Sequence, residues 1–155
     1  MDDNDDKGLE NLQLWHKAMA FTVRIHREIL PKLPLEEKWA MGSQLRRSVQ
    51  SIPANIAEGH GRFYYQDNVR FCYIARGSLE ETLSYLTLAG KLAYLPEQDL
   101  ASLLSNIQEL RRMLNGYISY LKNSKRGGNE PGSNLGVRDD IAEYLIDDHI
   151  DRVSE

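Results

Sequence analysis

The sequence predicts an all-α protein: an antiparallel up-down four-helix bundle with a flexible acidic C-terminal extension. Three observations carry this. Four long segments repeat apolar residues at three- and four-residue spacing, short proline- or glycine-bearing stretches join them, and no segment alternates with the period of a strand.

The first helix is expected from Leu12 to Leu30, with Leu12, Trp15, Met19, Val23, Ile29 and Leu30 as its apolar face. Pro31 and Pro34 close it, because proline cannot continue a helix and disfavours helical geometry in the residue before it. The second begins near Leu35–Glu37, where acids suit the positive end of a helix dipole. Its seam is Met41, Leu45, Val49, Ile52 and Ile56, which fall within an arc of about 80° at about 100° per residue. That seam keeps its register across Pro53, so a kinked but continuous helix is expected, ended by Gly59 or Gly61 in a left-handed cap.

The third helix, Gln66 to Leu92, carries two apolar faces. Phe71, Cys72, Ala75, Leu79, Leu83 and Leu86 form one, and Ile74, Tyr85, Leu88 and Leu92 the other, the pattern of a central or oligomer-buried helix. The fourth opens at Pro96, favoured in a first turn, and runs to Lys122 on the stripe Leu100, Leu103, Leu104, Ile107, Leu110, Leu114, Ile118 and Leu121.

Around the bundle, expected over 9–123, lie a disordered acidic N-terminus (1–8), a flexible linker (124–136), and an acidic short helix or disordered tail (137–155). Asp140, Glu143, Asp147 and Asp151 share one stripe of that tail. The net charge of −4 conceals an asymmetry: residues 1–8 carry −3, residues 127–155 carry −6, and residues 9–126 carry +5. No apolar run approaches a membrane span, no basic-then-apolar leader opens the chain, and the single Cys72 forbids an internal disulfide, so a cytoplasmic protein is expected.

No catalytic constellation emerges, and a non-enzyme with no cofactor, no metal and no small-molecule substrate is expected. His16, His26, His60 and His149 never stand in metal-ligand spacing, and Glu80 and Glu81 lack the Glu-x-x-His partners of a di-iron bundle. The glycines of "EGHGR" follow no strand and precede no GK[ST], so they do not form a phosphate loop. His26 reads as a hydrogen-bonded histidine at the core edge, and Cys72 as a buried apolar side chain.

Beside the seam of the second helix runs a polar ladder of Gln44, Arg47, Ser51, Asn55, Glu58 and Arg62. It admits two roles. It can hold the neighbouring helix or subunit, with Asn55 or Ser51 satisfying a carbonyl released by Pro53. Alternatively, Arg46, Arg47, Arg62, Arg70 and Arg76 form a basic surface for phosphates. Pro53, Ala54 and Ala57 on another face, with Ile74, Tyr85 and Leu88, are the candidate oligomer interface.

The blocks "LQLWHKAMAFTVRIH" (12–26), "LRRSVQSIPANIAEGHGR" (45–62) and "FCYIARGSLEETLSYLTLAGKL" (71–92) resemble the four-helix-bundle family of large-subunit (23S) rRNA intervening-sequence proteins. That family includes the accessory variability protein of diversity-generating retroelements, and the resemblance covers roughly residues 9–123. It implies a bundle protomer in a ring-like homopentamer without catalytic activity. Retroelement members are similar but more basic, which implies structured RNA and a reverse transcriptase as partners; Arg46, Arg47, Arg62 and Arg76 match the family blocks. The mildly basic body and the acidic tail depart from that pattern, and favour as an alternative a protein-interaction scaffold whose tail contacts a protein partner.

Overall fold

In a computed structural model, residues 8–124 and Asn129 are described. The expected acidic N-terminus, most of the linker and the acidic tail lie outside the described residues. Four helices make the bundle: α1 (Gln13–Arg24), α2 (Met41–His60), α3 (Tyr65–Lys91) and α4 (Glu97–Asn123), with no strand among the described residues. Consecutive helices run antiparallel through short connections. α1 packs on α2 and α4, and so does α3, which sets α1 and α3 at opposite corners.

The seams of α2 and α4 lie where their periodicity puts them. Leu45, Val49, Ile52 and Ile56 are fully buried, and Leu103, Ile107, Leu110, Leu114, Ile118 and Leu121 face them from α4. Helix 1 departs in part from expectation: Ile29 is buried and Leu12, Trp15 and Leu30 pack against the core, but the main inward face is another one. Its core face is Leu14, Ala18, Phe21, Ile25 and Ile29, while Met19 and Val23 are 37% and 40% exposed. Two apolar stripes, about 140° apart, share this helix, and periodicity alone does not rank them. The stripe carrying small Ala18 goes inward. The helix also changes pitch, widening to a π turn over Ile25–Ile29 before a 3₁₀ turn over Leu30–Lys32.

The start of α2 is likewise corrected. Leu35–Glu37 form a separate 3₁₀ turn and α2 begins at Met41, whose N–H donates to Glu37 Oε2 at 3.3 Å. The Glu37 carboxylate also accepts from the Tyr94 hydroxyl, tying this end to the α3–α4 turn. In that turn α3 ends in a pair of bonds, Tyr94 N–H to Ala89 O and Ala93 N–H to Gly90 O, with Ala93 in the left-handed region at φ 58°. Pro96 is the N-cap of α4, and Glu97 and Asp99 occupy its first turn.

Pro53 leaves α2 unbroken. Lacking an N–H, it strands the carbonyl of Val49 in the core. The donor that reaches this carbonyl comes from α1: Thr22 Oγ1 lies 3.1 Å from Val49 O and 2.9 Å from Ala18 O. Asn55 and Ser51 do not serve it; Asn55 Nδ2 donates instead to Ser51 O and Oγ. Thr22→Val keeps the shape and removes the donor. It is expected to cost about 1–2 kcal/mol in urea unfolding, the penalty of an orphaned buried carbonyl.

The left-handed cap expected at Gly59 or Gly61 is absent. Gly61 is the C-cap of α2 at φ −78°, in right-handed geometry. Gly59 is buried inside the helix, and a Cβ there would stand 2.9 Å from Phe71 Cβ and 3.0 Å from the Asn68 carbonyl oxygen. This glycine is needed because α3 approaches so closely.

Candidate functional site

The polar ladder of α2 borders α3: Ser51 and Asn55 are half-buried beside it, while Gln44, Arg47, Glu58 and Arg62 are exposed. Ser51 Oγ meets Ser78 Oγ at 2.8 Å, Thr82 Oγ1 donates to Ser48 Oγ at 2.9 Å, and Arg47 pairs with Glu81 while its Nε donates to Gln44 at 3.2 Å. Small hydroxyl side chains at matched levels let the two helices close. Among the described residues no buried side-chain polar atom is left without a partner.

The structure does not gather the five candidate arginines into one patch. Arg46 lies in the second turn of α2 and Arg62 just beyond its C-cap, so about 20 Å of helix separates them. At the α2–α3 end, Arg62 pairs with Glu58 and lies 4.8 Å from the centre of the Phe71 ring, while exposed Arg70 stands 3.7 Å from Asp67. Exposed Phe63 and Tyr64 adjoin Arg62. Arg76 points towards α4, donating to Asn115 Oδ1 at 3.1 Å and covering the Tyr73 ring at 4.8 Å. Glu80 is held by Arg111 through two bonds, of 2.7 and 2.9 Å, so it serves as an α3–α4 tie.

Arg46 stands apart. It is half-buried and forms no ion pair with a described residue, and it lines a groove of about 320 Å³ with His26 and Lys38. The Gln50 amide nitrogen lies 3.2 Å from His26 Nε2. Burial first, and the Arg46 charge second, hold the His26 pKa below its ordinary value. His26 is thus a hydrogen-bonded histidine at the core edge, and also a groove residue. The sequence did not flag Lys38, whose only signal was its charge.

The interface candidates divide. Pro53 is buried within the protomer and has no surface to offer a second chain; Ala54 is exposed and Ala57 half-buried. Ile74, Leu88 and Leu92 are 50%, 44% and 46% exposed, whereas Tyr85 packs partly against the core. Gly77 lies in the same stripe, with open space where a Cβ would sit. Cys72 is fully buried. Among the described residues, no cluster of three or more histidine, cysteine or acidic side chains could hold a metal, and no helix is long and apolar enough to cross a membrane.

Among solved structures, the chain is similar to a protein of unknown function from the S23 ribosomal protein family of Bacteroides thetaiotaomicron VPI-5482. The TM-score is 0.64 and the identity 28%, over 69% of this chain and 96% of that one. No curated protein matches. The description "23S rRNA-intervening sequence protein" fits residues 10–116, all of the bundle but the last two turns of α4, and the chain belongs to that family.

Proposed function

We propose that the protein is a non-catalytic homo-oligomeric adaptor that contacts RNA, or a reverse transcriptase bound to RNA, through its basic side chains. One observation carries the assembly: two different apolar stripes remain exposed on opposite corners of the bundle, Met19 and Val23 on α1 and Ile74, Leu88 and Leu92 on α3. Unlike faces on opposite sides are what a head-to-tail ring requires, since each copy offers one and receives on the other. Open space at Gly77 lets a neighbouring helix approach the α3 stripe closely. The number of copies, five, is what the family resemblance implies. The +5 charge of residues 9–126 supports RNA contact, with the Arg62, Phe63 and Arg70 end offering cations beside exposed rings.

Mass in solution tests the ring. Ile74→Asp with Leu88→Asp is expected to convert the assembly to monomers, with the helical spectrum retained; a wild-type monomer at micromolar concentration overturns the assembly. For RNA, filter retention of a structured RNA is expected to fall as salt rises. Arg62→Ala with Arg70→Ala should make the log–log slope shallower by about 1–2. No retention at low salt overturns that contact. The −6 charge of residues 127–155 favours a second reading, a protein scaffold without RNA binding. Truncation after Arg126 that loses a protein partner, in a chain whose wild type retains no RNA, is its signature.

A further inference from the structure

The geometry points to a binding site for a 5′-mononucleotide in the groove between the end of α1, the turn that follows it and the start of α2, with Arg46, Lys38 and His26 receiving the phosphate. The groove's volume, about 320 Å³, lies at the lower end of the range of small-ligand sites. Its lining contains those three basic side chains and no carboxylate. Glu37, the acid closest in sequence, is engaged by Met41 N–H and the Tyr94 hydroxyl and does not line it.

Charge and burial narrow the ligand to a dianion. Arg46 is half-buried and has no ion-pair partner among the described residues, which leaves its guanidinium able to take an anion. Arg46 and Lys38 together supply two positive charges, the charge of a phosphate monoester. His26 is neutral and adds a donor: with Gln50 donating to Nε2, the ring proton sits on Nδ1. Gly42, the second residue of the 20-residue α2, also lines the groove.

The remaining wall narrows the body of the ligand. Leu30, Leu33 and Leu35 line the groove, and Leu35, 83% exposed, forms an uncovered apolar rim. Cationic and apolar side chains lining one groove fit a planar base carrying a phosphate better than inorganic phosphate or a small polar ester. The site is complete in one protomer, so it rests neither on the ring assembly nor on retention of structured RNA.

The full chain titrated calorimetrically with adenosine 5′-monophosphate tests this. Binding at sub-millimolar concentration is expected, with adenosine, inorganic phosphate and O-phosphoserine each about tenfold weaker or more. Arg46→Gln and, separately, Lys38→Gln are expected to weaken the nucleotide about tenfold or more while leaving the helical spectrum unchanged. Lys38 is exposed, so its variant keeps the test valid where Arg46→Gln fails to fold. A short single-stranded oligonucleotide with and without a 5′-phosphate separates the two sources: preference for the phosphorylated form assigns an RNA end, and its absence with mononucleotide binding intact assigns a free nucleotide. No binding at millimolar nucleotide, equal binding of adenosine or phosphoserine, or variants that bind like wild type overturns the site.

Discussion

Gly59→Ala is expected to lower the stability of the bundle by about 2 kcal/mol, although alanine is the better helix former by about 1 kcal/mol. The added Cβ would stand 2.8 Å from Asn68 Oδ1, 2.9 Å from Phe71 Cβ and 3.0 Å from the Asn68 carbonyl oxygen. Two of these three neighbours are a backbone atom and a Cβ, which no rotamer change can move. The third is pinned as well, since Asn68 Nδ2 donates to the Tyr117 hydroxyl at 3.2 Å and Oδ1 lies 3.6 Å from Cys72 Sγ. Relief therefore requires α2 and α3 to part. That opens the Ser51–Ser78 and Ser48–Thr82 contacts along their line, and overpacking of this kind costs about 1–3 kcal/mol, occasionally more. The control is Gly116→Ala, at an exposed site in α4 with nothing within 4 Å, expected to gain up to about 1 kcal/mol. Urea unfolding of the two variants should move the midpoint in opposite directions. A Gly59→Ala protein as stable as wild type would show that the helices are not held this close.

The sequence already showed which faces of α2 and α4 turn inward, because each has one apolar stripe and nothing competes with it. It also showed that Pro53 would be tolerated, from a seam that holds register across it. What it could not show is where the partners of that tolerance lie. The orphaned Val49 carbonyl is reached by Thr22, 27 residues away, and only the α1–α2 packing brings them together. The face of α1 is only partly legible for a related reason: Leu12, Trp15, Ile29 and Leu30 do reach the core, but a helix with two apolar stripes is decided by what packs on it. The same limit hid the groove. Arg46 was legible as a basic side chain, but its lack of an ion pair and its nearness to His26 and Lys38 are products of the π turn and of the loop before Met41. Arg47, with the same charge one residue on, turns about 100° away and is spent on Glu81.

Native Cys72 is expected to react with a thiol reagent at neutral pH at least about a thousandfold more slowly than in the unfolded chain. Ionisation alone gives that factor. Burial pushes the thiol from 9.0 up to about 12, so at any pH below 9 the fraction of reactive thiolate falls by about a thousandfold. Full burial adds a steric block, which leaves opening of the α2–α3 seam as the route to reaction. The folded pKa lies above the unfolded one, so this group's contribution to stability is constant below pH 9.0 and is lost as pH rises from there to about 12. Labelling at pH 7–8 therefore reads opening without disturbing it. Because Cys72 lies one turn beyond Asn68, the residue Gly59 touches, loosening that contact should be felt here first. The loss of about 2 kcal/mol expected for Gly59→Ala should speed labelling about 30-fold. Thr22→Val acts on the α1–α2 side, and its effect on the same rate should match only its global cost. A Gly59→Ala effect larger than its urea midpoint implies would identify opening of α3 from α2 as a local event. Native labelling at the unfolded rate would mean that Cys72 is not buried at all.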